Sequence, residues 1–275
     1  MADTTPINGE VEFIESADGT EIAFERTGSG PPLVLVHGGA CDRRFWDLSD
    51  VRSTLAEEYT VRAMDCRGVG ESGDAADYEL EREFEDVAAV VDSIDEPVTL
   101  LGHSSGALLS LEAALRTNNL RELVLYEPPI PVGDHELCSE RVLAELAGLL
   151  EAGENERVLV LFLEEIAQST PEEIDAQRAT PEWPDLVDTA HVWVRSVRGI
   201  REYEFDRTRF ATVTTQTVLL TGNESPSYLK DATGAVDDAL SNGRIVSLDG
   251  QAHEAMLTAP DRFVEAVRTT VRDSD

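Results

Sequence analysis

A serine flanked by glycines stands where a nucleophile could be presented to a substrate. Residues Gly102–Gly106 read Gly-His-Ser-Ser-Gly, after the apolar run Val98–Leu101 and before a helical pattern over residues 105–117. A serine hydroxyl attacks well only when a sharp turn exposes it, a base takes its proton and donors stabilise the oxyanion. The strand–serine–helix context predicts that Ser104 is a nucleophile. A structural turn is the alternative, because the five-residue pattern alone is weak.

Strands and helices alternate on both sides of this turn. Residues 11–27 alternate in polarity around Asp18-Gly19, which predicts a β-hairpin, and Leu80–Ile94 has apolar residues at helical spacing. Because strands that alternate with helices pair in parallel and are buried on both faces, we predict an α/β fold with a mostly parallel central sheet flanked by helices. The other strands are predicted at Leu33–Val36, Val61–Met64, Val98–Leu101, Leu123–Tyr126, Val218–Thr221 and Arg244–Leu248.

The pattern changes between residues 131 and 210, where helical segments follow one another without strands. We predict that residues 131–210 form a helical cap inserted into a core of residues 1–130 and 211–275. The helical segments are Glu136–Glu151, Arg157–Gln168 and Leu186–Arg201. Substrate selectivity is expected to depend on how Trp183, Trp193 and Tyr203 of this cap fold over the site. The sequence assigns no substrate-binding residue.

Two further motifs accompany the serine turn in the same order along the chain. They are His37-Gly38-Gly39 and Asp65-Cys66-Arg67-Gly68-Val69-Gly70-Glu71-Ser72. With these motifs the chain resembles the α/β-hydrolase family from about Val11 to Val271, most strongly over residues 33–128. The resemblance implies an α/β-hydrolase fold and an oxyanion hole formed by the backbone amides of Gly39 and Ser105.

The same resemblance places the general base late in the chain, after the last strand. His253 follows the predicted strand at Ile245–Leu248 and occupies this place. Four other histidines have different expected roles. We expect His37 to brace the oxyanion loop, His103 to be the variable position of the serine turn, and His135 and His191 to pack in the cap or touch substrate.

The carboxylate that would orient the base has two candidates. Ser225 stands where the family most often has aspartate, after the strand Val218–Thr221, and Glu224 precedes it. Glu127 follows the preceding strand, at an alternative acid position used by some members such as certain dehalogenases. We favour Glu127 and keep Glu224 as the alternative, since either could stabilise the imidazolium of His253.

These residues imply acyl transfer to water rather than chemistry that needs a cofactor. We expect cleavage of a carboxylic ester of a small or medium-sized substrate through an acyl-enzyme on Ser104, without metal or organic cofactor. The same residues would also serve for a thioester, a lactone or a carbon–carbon bond. A non-catalytic protein that binds a small ligand under the cap is the alternative from a different class.

The charge of the chain excludes some partners. Asp and Glu total 55 against 22 basic residues, a net charge of -33, and Lys230 is the only lysine. Nucleic acid and anionic membranes would be repelled. This composition resembles cytoplasmic proteins of salt-accumulating archaea, so we expect weak folding stability at low ionic strength. A cytoplasmic location is also expected because Met1–Glu10 has no basic or long apolar segment.

Overall fold

An eight-stranded sheet forms the centre of the structure. The computed structural model describes residues 9–133 and 135–272, with side chains as far as residue 269; residues 1–8, 134 and 273–275, which the predicted core and cap include, lie outside the described residues. The strands are β1 (Glu10–Glu15), β2 (Glu21–Thr27), β3 (Pro32–Val36), β4 (Thr60–Met64), β5 (Val98–His103), β6 (Leu120–Tyr126), β7 (Gln216–Gly222) and β8 (Gly243–Leu248). Their order in the sheet is β1-β2-β4-β3-β5-β6-β7-β8.

Most neighbouring strands pair in parallel, as the sequence predicts. β3 pairs in parallel with β4 and with β5, and β5 to β8 continue the parallel part. β1 and β2 form the predicted antiparallel hairpin around Gly19, whose φ of 88° suits glycine. Because parallel strands end at the same edge, the loops after β3, β5, β6 and β8 meet there.

The helices cover both faces of the sheet. They are α1 (Val51–Leu55), α2 (Leu80–Asp92), α3 (Ser105–Ala113), α4 (Glu140–Glu151), α5 (Asn155–Glu165), α6 (Pro171–Arg178), α7 (Trp183–Asp188), α8 (Ala190–Glu202), α9 (Arg207–Phe210), α10 (Ser227–Ala239), α11 (Ala255–Thr258) and α12 (Pro260–Arg272), with a 3-10 helix at Arg43–Asp47. No described helix is both long enough and apolar enough to span a membrane.

Alternate residues of the inner strands supply two separate cores. In β3, Leu33 and Leu35 pack with α1 and α12 on one face, whereas Val34 and Val36 pack with α2 and α3 on the other. All four side chains are fully buried. The period of two along each strand therefore lets one short apolar run serve both faces of the sheet.

The described residues between β6 and β7 contain helices α4–α9 and no strand, which agrees with the predicted change of pattern. The exact limits of a cap at residues 131–210 stay a prediction. Two of these helices were not predicted, the four-residue α9 and the longer α6. The start of α6 carries a usable signal, because Thr170 and Glu173 form a capping box with Pro171 at the first helical position.

The helices inserted between β6 and β7 are fastened to the helix that follows Ser104. Glu112 of α3 is fully buried, and its carboxylate accepts hydrogen bonds from Tyr203, Arg209 and Arg116. The OH of Tyr203 lies 2.7 Å from Oε1. Tyr203 therefore holds the inserted helices to the core.

Candidate active site

Ser104 lies on a strained turn between β5 and α3. Its φ of 53° and ψ of -124° lie outside the regions that most residues adopt. A Cβ at Gly102 would lie 2.3 Å from the carbonyl oxygen of Gly106, and one at Gly106 would lie 2.3 Å from that of His37. Both glycines are therefore required for this turn, which leaves Ser104 at the sheet edge and partly accessible.

The backbone amides of Ser105 and Gly39, the predicted oxyanion donors, lie at this edge. Ser105 is the first residue of α3, so its N–H has no partner within the helix. In the described part of the chain, neither this amide nor that of Gly39 donates a hydrogen bond. A Cβ at Gly39 would lie 2.9 Å from Cζ of Phe162, so α5 packs directly over the loop that carries this amide.

His253 and Glu127 form a hydrogen-bonded pair at the same edge. Nδ1 of His253 lies 2.7 Å from Oε2 of Glu127. Oε1 of Glu127 accepts from the hydroxyl of Thr221 and the amide of Gly222, each at 2.8 Å. Because the carboxylate accepts, Nδ1 carries the proton and Nε2 is left as the basic nitrogen.

The pair shifts the pKa values of both partners. Burial alone would raise the pKa of Glu127, but its hydrogen bond and attraction to His253 outweigh burial and lower it. Burial alone would lower the pKa of His253, but the hydrogen bond with Glu127 and the charges of Glu254 and Glu127 outweigh it and raise the pKa. Glu127 is therefore ionised at neutral pH and stabilises the imidazolium.

The other acid candidate lies outside this pair. Glu224 is exposed, and its carboxylate is not a partner of His253. Ser225, at the usual position of the acid, is buried and close enough to Glu127 for its hydroxyl to lower the pKa of that carboxyl. The place of the usual acid is thus filled by a small hydroxyl group facing the carboxylate of Glu127.

Sequence reasoning missed the contacts of His103. Its ring centroid lies 4.6 Å from that of His253, and its Nε2 lies 3.0 Å from the carbonyl oxygen of His253. Burial and the charge of His253 hold the pKa of His103 well below its ordinary value. Neutral His103 therefore donates to the loop of the candidate base, and the OH of Tyr126 donates to the carbonyl of Ala252 beside it. The sequence gives no signal for either contact.

The remaining histidines have other partners. Nε2 of His37 accepts from the amide of Cys66 at 3.1 Å, and its Nδ1 lies 2.7 Å from the carbonyl oxygen of Gly38. His37 therefore braces the loop of Gly39, as predicted. Nε2 of His135 lies 3.0 Å from Oδ2 of Asp231, and Nε2 of His191 lies 3.4 Å from Oδ2 of Asp74.

The Ser104 hydroxyl makes no hydrogen bond with His253 among the described residues. Such bonds are often long in the absence of substrate and tighten in the substrate complex. The described residues contain one set of side chains close enough together to hold a metal ion: His103, His253 and Glu254. A metal there would occupy the candidate base. An open surface cavity of about 710 Å³, lined by residues such as Val132, Lys230 and Ile245, includes none of the site residues.

A family comparison identifies the class of protein. The model of the alpha/beta hydrolase family matches residues 33–266, and the chain therefore belongs to that family. A solved alpha/beta hydrolase from Sphaerobacter thermophilus is 33% identical, with a TM-score of 0.80, and the match covers 94% of this chain and 99% of that one. The fold predicted from the sequence is confirmed.

Two curated relatives cover different shares of the chain. A pimeloyl-[acyl-carrier protein] methyl ester esterase from Aeromonas hydrophila is 25% identical over 256 residues, which are 90% of this chain and 97% of that protein. The putative non-heme bromoperoxidase BpoC from Mycobacterium tuberculosis is 29% identical over 131 residues, which are 47% of this chain and 44% of that protein. The match to BpoC therefore spans less than half the length of either protein.

Proposed function

We propose that this protein is a serine hydrolase that cleaves a carboxylic ester of a small or medium-sized substrate. The observation that carries the proposal is the hydrogen bond between His253 and Glu127 at the sheet edge where the strained turn holds Ser104. A buried carboxylate that holds an imidazole with Nε2 free is the arrangement a serine nucleophile needs. The esterase from Aeromonas hydrophila that matches most of the chain supports the same chemistry.

The proposed reaction has two halves. His253 takes the proton of the Ser104 hydroxyl as its oxygen attacks the ester carbonyl, and the amides of Gly39 and Ser105 stabilise the oxyanion. The tetrahedral intermediate collapses when the imidazolium gives its proton to the departing alcohol. Water, deprotonated by His253, then attacks the acyl-enzyme, and the acid is released as Ser104 recovers its proton. Glu127 stabilises the imidazolium in both halves.

Apolar rings border the proposed site. Phe45 stacks on His103 with centroids 5.5 Å apart, and Phe162 lies over Gly39 and 6.5 Å from Trp193. These side chains supply apolar surface against which part of the acyl or alkyl portion of a substrate can pack. Nucleic acid is not an expected substrate, because the net charge of -33 would repel its phosphates.

Ester hydrolysis in concentrated potassium chloride tests the proposal. We expect turnover of short p-nitrophenyl esters by the native protein and a loss of roughly 10⁴-fold or more in Ser104→Ala, because this change removes the nucleophile. Ser247→Ala, at an exposed position of β8, is the control and should retain native turnover. Equal turnover by native protein and Ser104→Ala would refute the proposal.

A further inference from the structure

Glu254 directly follows the candidate base, and its carboxyl group lies at the site. One nitrogen or oxygen atom from each of Glu254, His253 and His103 lies within 4.8 Å of the others. Oε2 of Glu254 is inaccessible to solvent and has no hydrogen-bond partner among the described residues. A buried carboxylate oxygen loses its water without compensation, so such atoms are rare unless a ligand supplies the partner.

His103 contributes a second acceptor without a partner. The residue is 3% exposed, and its Nδ1 is buried and makes no hydrogen bond within the described structure. Because Nε2 of His103 donates to the carbonyl oxygen of His253, Nδ1 is the unprotonated nitrogen. Both unpartnered atoms are acceptors, and Glu254 as a whole is partly exposed, so a ligand that reaches this carboxylate must donate.

The charges around Glu254 favour a cation over an anion. Burial raises the pKa of Glu254 to about 7; the attraction of His253 opposes this shift, and the charges of Glu173 and Glu127 add to it. A substrate carboxylate would face the same two negative charges. An ammonium group would instead offset the cost of ionising Glu254 and supply up to three donors.

We propose that Glu254 is a specificity-determining residue and pairs with a protonated amine, so that the preferred ester carries an ammonium group a few bonds from the scissile carbonyl. This inference rests on the hydrolase function proposed above. A metal ion would also satisfy Glu254 and His103, but it would take His253 as its third ligand and remove the base. An organic cation can bind Glu254 and leave His253 free to act.

Two pairs of substrates of nearly equal shape measure the preference. 2-(Dimethylamino)ethyl acetate carries its cation in the alcohol, and 3-methylbutyl acetate is its neutral counterpart. The ethyl ester of β-alanine carries its cation in the acyl group, and ethyl butanoate is the neutral counterpart. We expect kcat/KM for at least one cationic ester to exceed that of its counterpart by roughly tenfold or more at pH 7.5, both without and with a chelator.

Glu254→Gln keeps the shape of the side chain and removes its charge. In this variant we expect the cationic-to-neutral ratio of kcat/KM to fall at least about tenfold for the preferred pair. Glu172→Gln removes a charge from an exposed position of α6 and should change the ratio less than about twofold, since screening weakens distant surface charges. A similar fall in both variants would mean that the general surface field, and not Glu254, sets the preference.

The pH dependence of this ratio gives a second measurement, because titration of His253 affects both esters alike. The ratio should rise with pH as Glu254 ionises around pH 7, up to the pKa of the amine, and it should lose this rise in Glu254→Gln. Among the described residues, the titratable or charged groups that interact with Glu254 are Cys41 after β3, His103 at the end of β5, Tyr126 of β6, Glu127 after β6, Glu173 of α6 and His253 after β8.

The outcomes separate this inference from the proposed function. Hydrolysis of the neutral esters with no preference for either cationic ester would overturn the role of Glu254 and leave the hydrolase function standing. A preference that disappears when chelator is added would assign the site to a metal ion and also overturn the inference. No hydrolysis of any of the four esters, together with no turnover of p-nitrophenyl esters, would instead refute the hydrolase function.

Discussion

Glu127 has a φ of 49° directly after β6, and this geometry explains how an acid on that strand reaches the base. β7 lies between β6 and β8, and adjacent strands are about 4.8 Å apart. The carboxylate therefore has to cross the end of β7, where Thr221 and Gly222 hold Oε1, before Oε2 reaches His253. The additional methylene of glutamate over aspartate supplies this reach.

Replacing the two candidate acids should separate their roles. Glu127→Gln should lower kcat by roughly 10³–10⁴-fold, because the amide neither stabilises the imidazolium nor fixes the tautomer. Glu224→Gln is the matched control, and its kcat should stay within about threefold of native, since this carboxylate is exposed and is not the hydrogen-bond partner of the base. The measurement is the initial rate of ester hydrolysis at saturating substrate, and equal losses in the two variants would contradict the assignment.

The acidic limb of the pH profile should report the raised pKa of His253. Only the neutral imidazole accepts the proton of Ser104, so kcat/KM for a neutral ester should fall as pH drops through a value above the ordinary 6.5 or so. Glu127→Gln removes the charge that stabilises the imidazolium, and the limb should therefore move to lower pH. Glu254 is present in both proteins, so a limb that stays in place or moves to higher pH would contradict the proposed pairing.

At the residue scale, local motifs predict Ser104 and His253, because each lies in a short pattern at a defined place after a strand. Their catalytic roles stay predictions. For the acid, the sequence favours Glu127 but keeps Glu224 as the alternative, because the two follow neighbouring strands and have the same chemistry. The exposure of Glu224 and the hydrogen bond between Glu127 and His253 distinguish them, and both depend on the complete sheet. The contact of His103 with His253 joins residues 150 positions apart and has no local signal.

At the scale of elements, Glu112 fastens the inserted helices to the helix that follows Ser104. Glu112→Gln should lower the free energy of unfolding by about 2 kcal/mol, because it leaves Arg116 and Arg209 without their buried anionic partner. This expected loss of unfolding free energy is smaller than that for a fully buried ion pair, because Arg209 is 43% exposed. Urea denaturation in concentrated potassium chloride provides the measurement.

A surface ion pair provides the comparison for that variant. Glu145→Gln removes the partner of Arg141 on the exposed side of α4, and its effect should stay below about 0.5 kcal/mol. If Glu112→Gln is no more destabilising than Glu145→Gln, the contact between α3 and the inserted helices does not carry the stability assigned to it. Such a result would leave the assignment of Ser104 unaffected.

Periodicity identified the strands better than the inserted helices. β3, β5 and β7 are apolar on both faces and end at loops rich in glycine, so their position and parallel pairing could be predicted. The predicted helix over residues 186–201 is instead divided into α7 and α8, which meet at Thr189. The packing of Phe162 over Gly39 depends on how α5 is placed against the core, and helical spacing does not determine that placement.

At the scale of the whole molecule, acidic side chains far outnumber basic ones, 55 against 22. Arg43, Arg52 and Arg67 are buried and each pairs with two or more carboxylates. These pairs involve few of the 55 acidic residues. The net charge of -33 therefore makes the acidic side chains at the surface repel one another. Salt screens exposed charges over about 10 Å at 0.1 M and about 3 Å at 1 M, while buried pairs are screened much less.

The melting temperature should therefore depend strongly on salt. We expect the midpoint to rise by roughly 10 °C or more between 0.1 M and 3 M potassium chloride, which corresponds to about 3 kcal/mol for a chain of this size. Differential scanning calorimetry in the two solutions makes the measurement. A midpoint that is the same in both would show that repulsion between the surface acids does not limit stability.

Covalent labelling of the nucleophile tests the central claim most directly. The protein, folded in concentrated potassium chloride, is treated with a fluorophosphonate and digested, and the modified peptide is sequenced by mass spectrometry. We predict one adduct on Ser104, much slower labelling in His253→Ala, and none in Ser104→Ala. An adduct on another residue, or no adduct on protein shown to be folded, would contradict the assignment of Ser104 as the nucleophile.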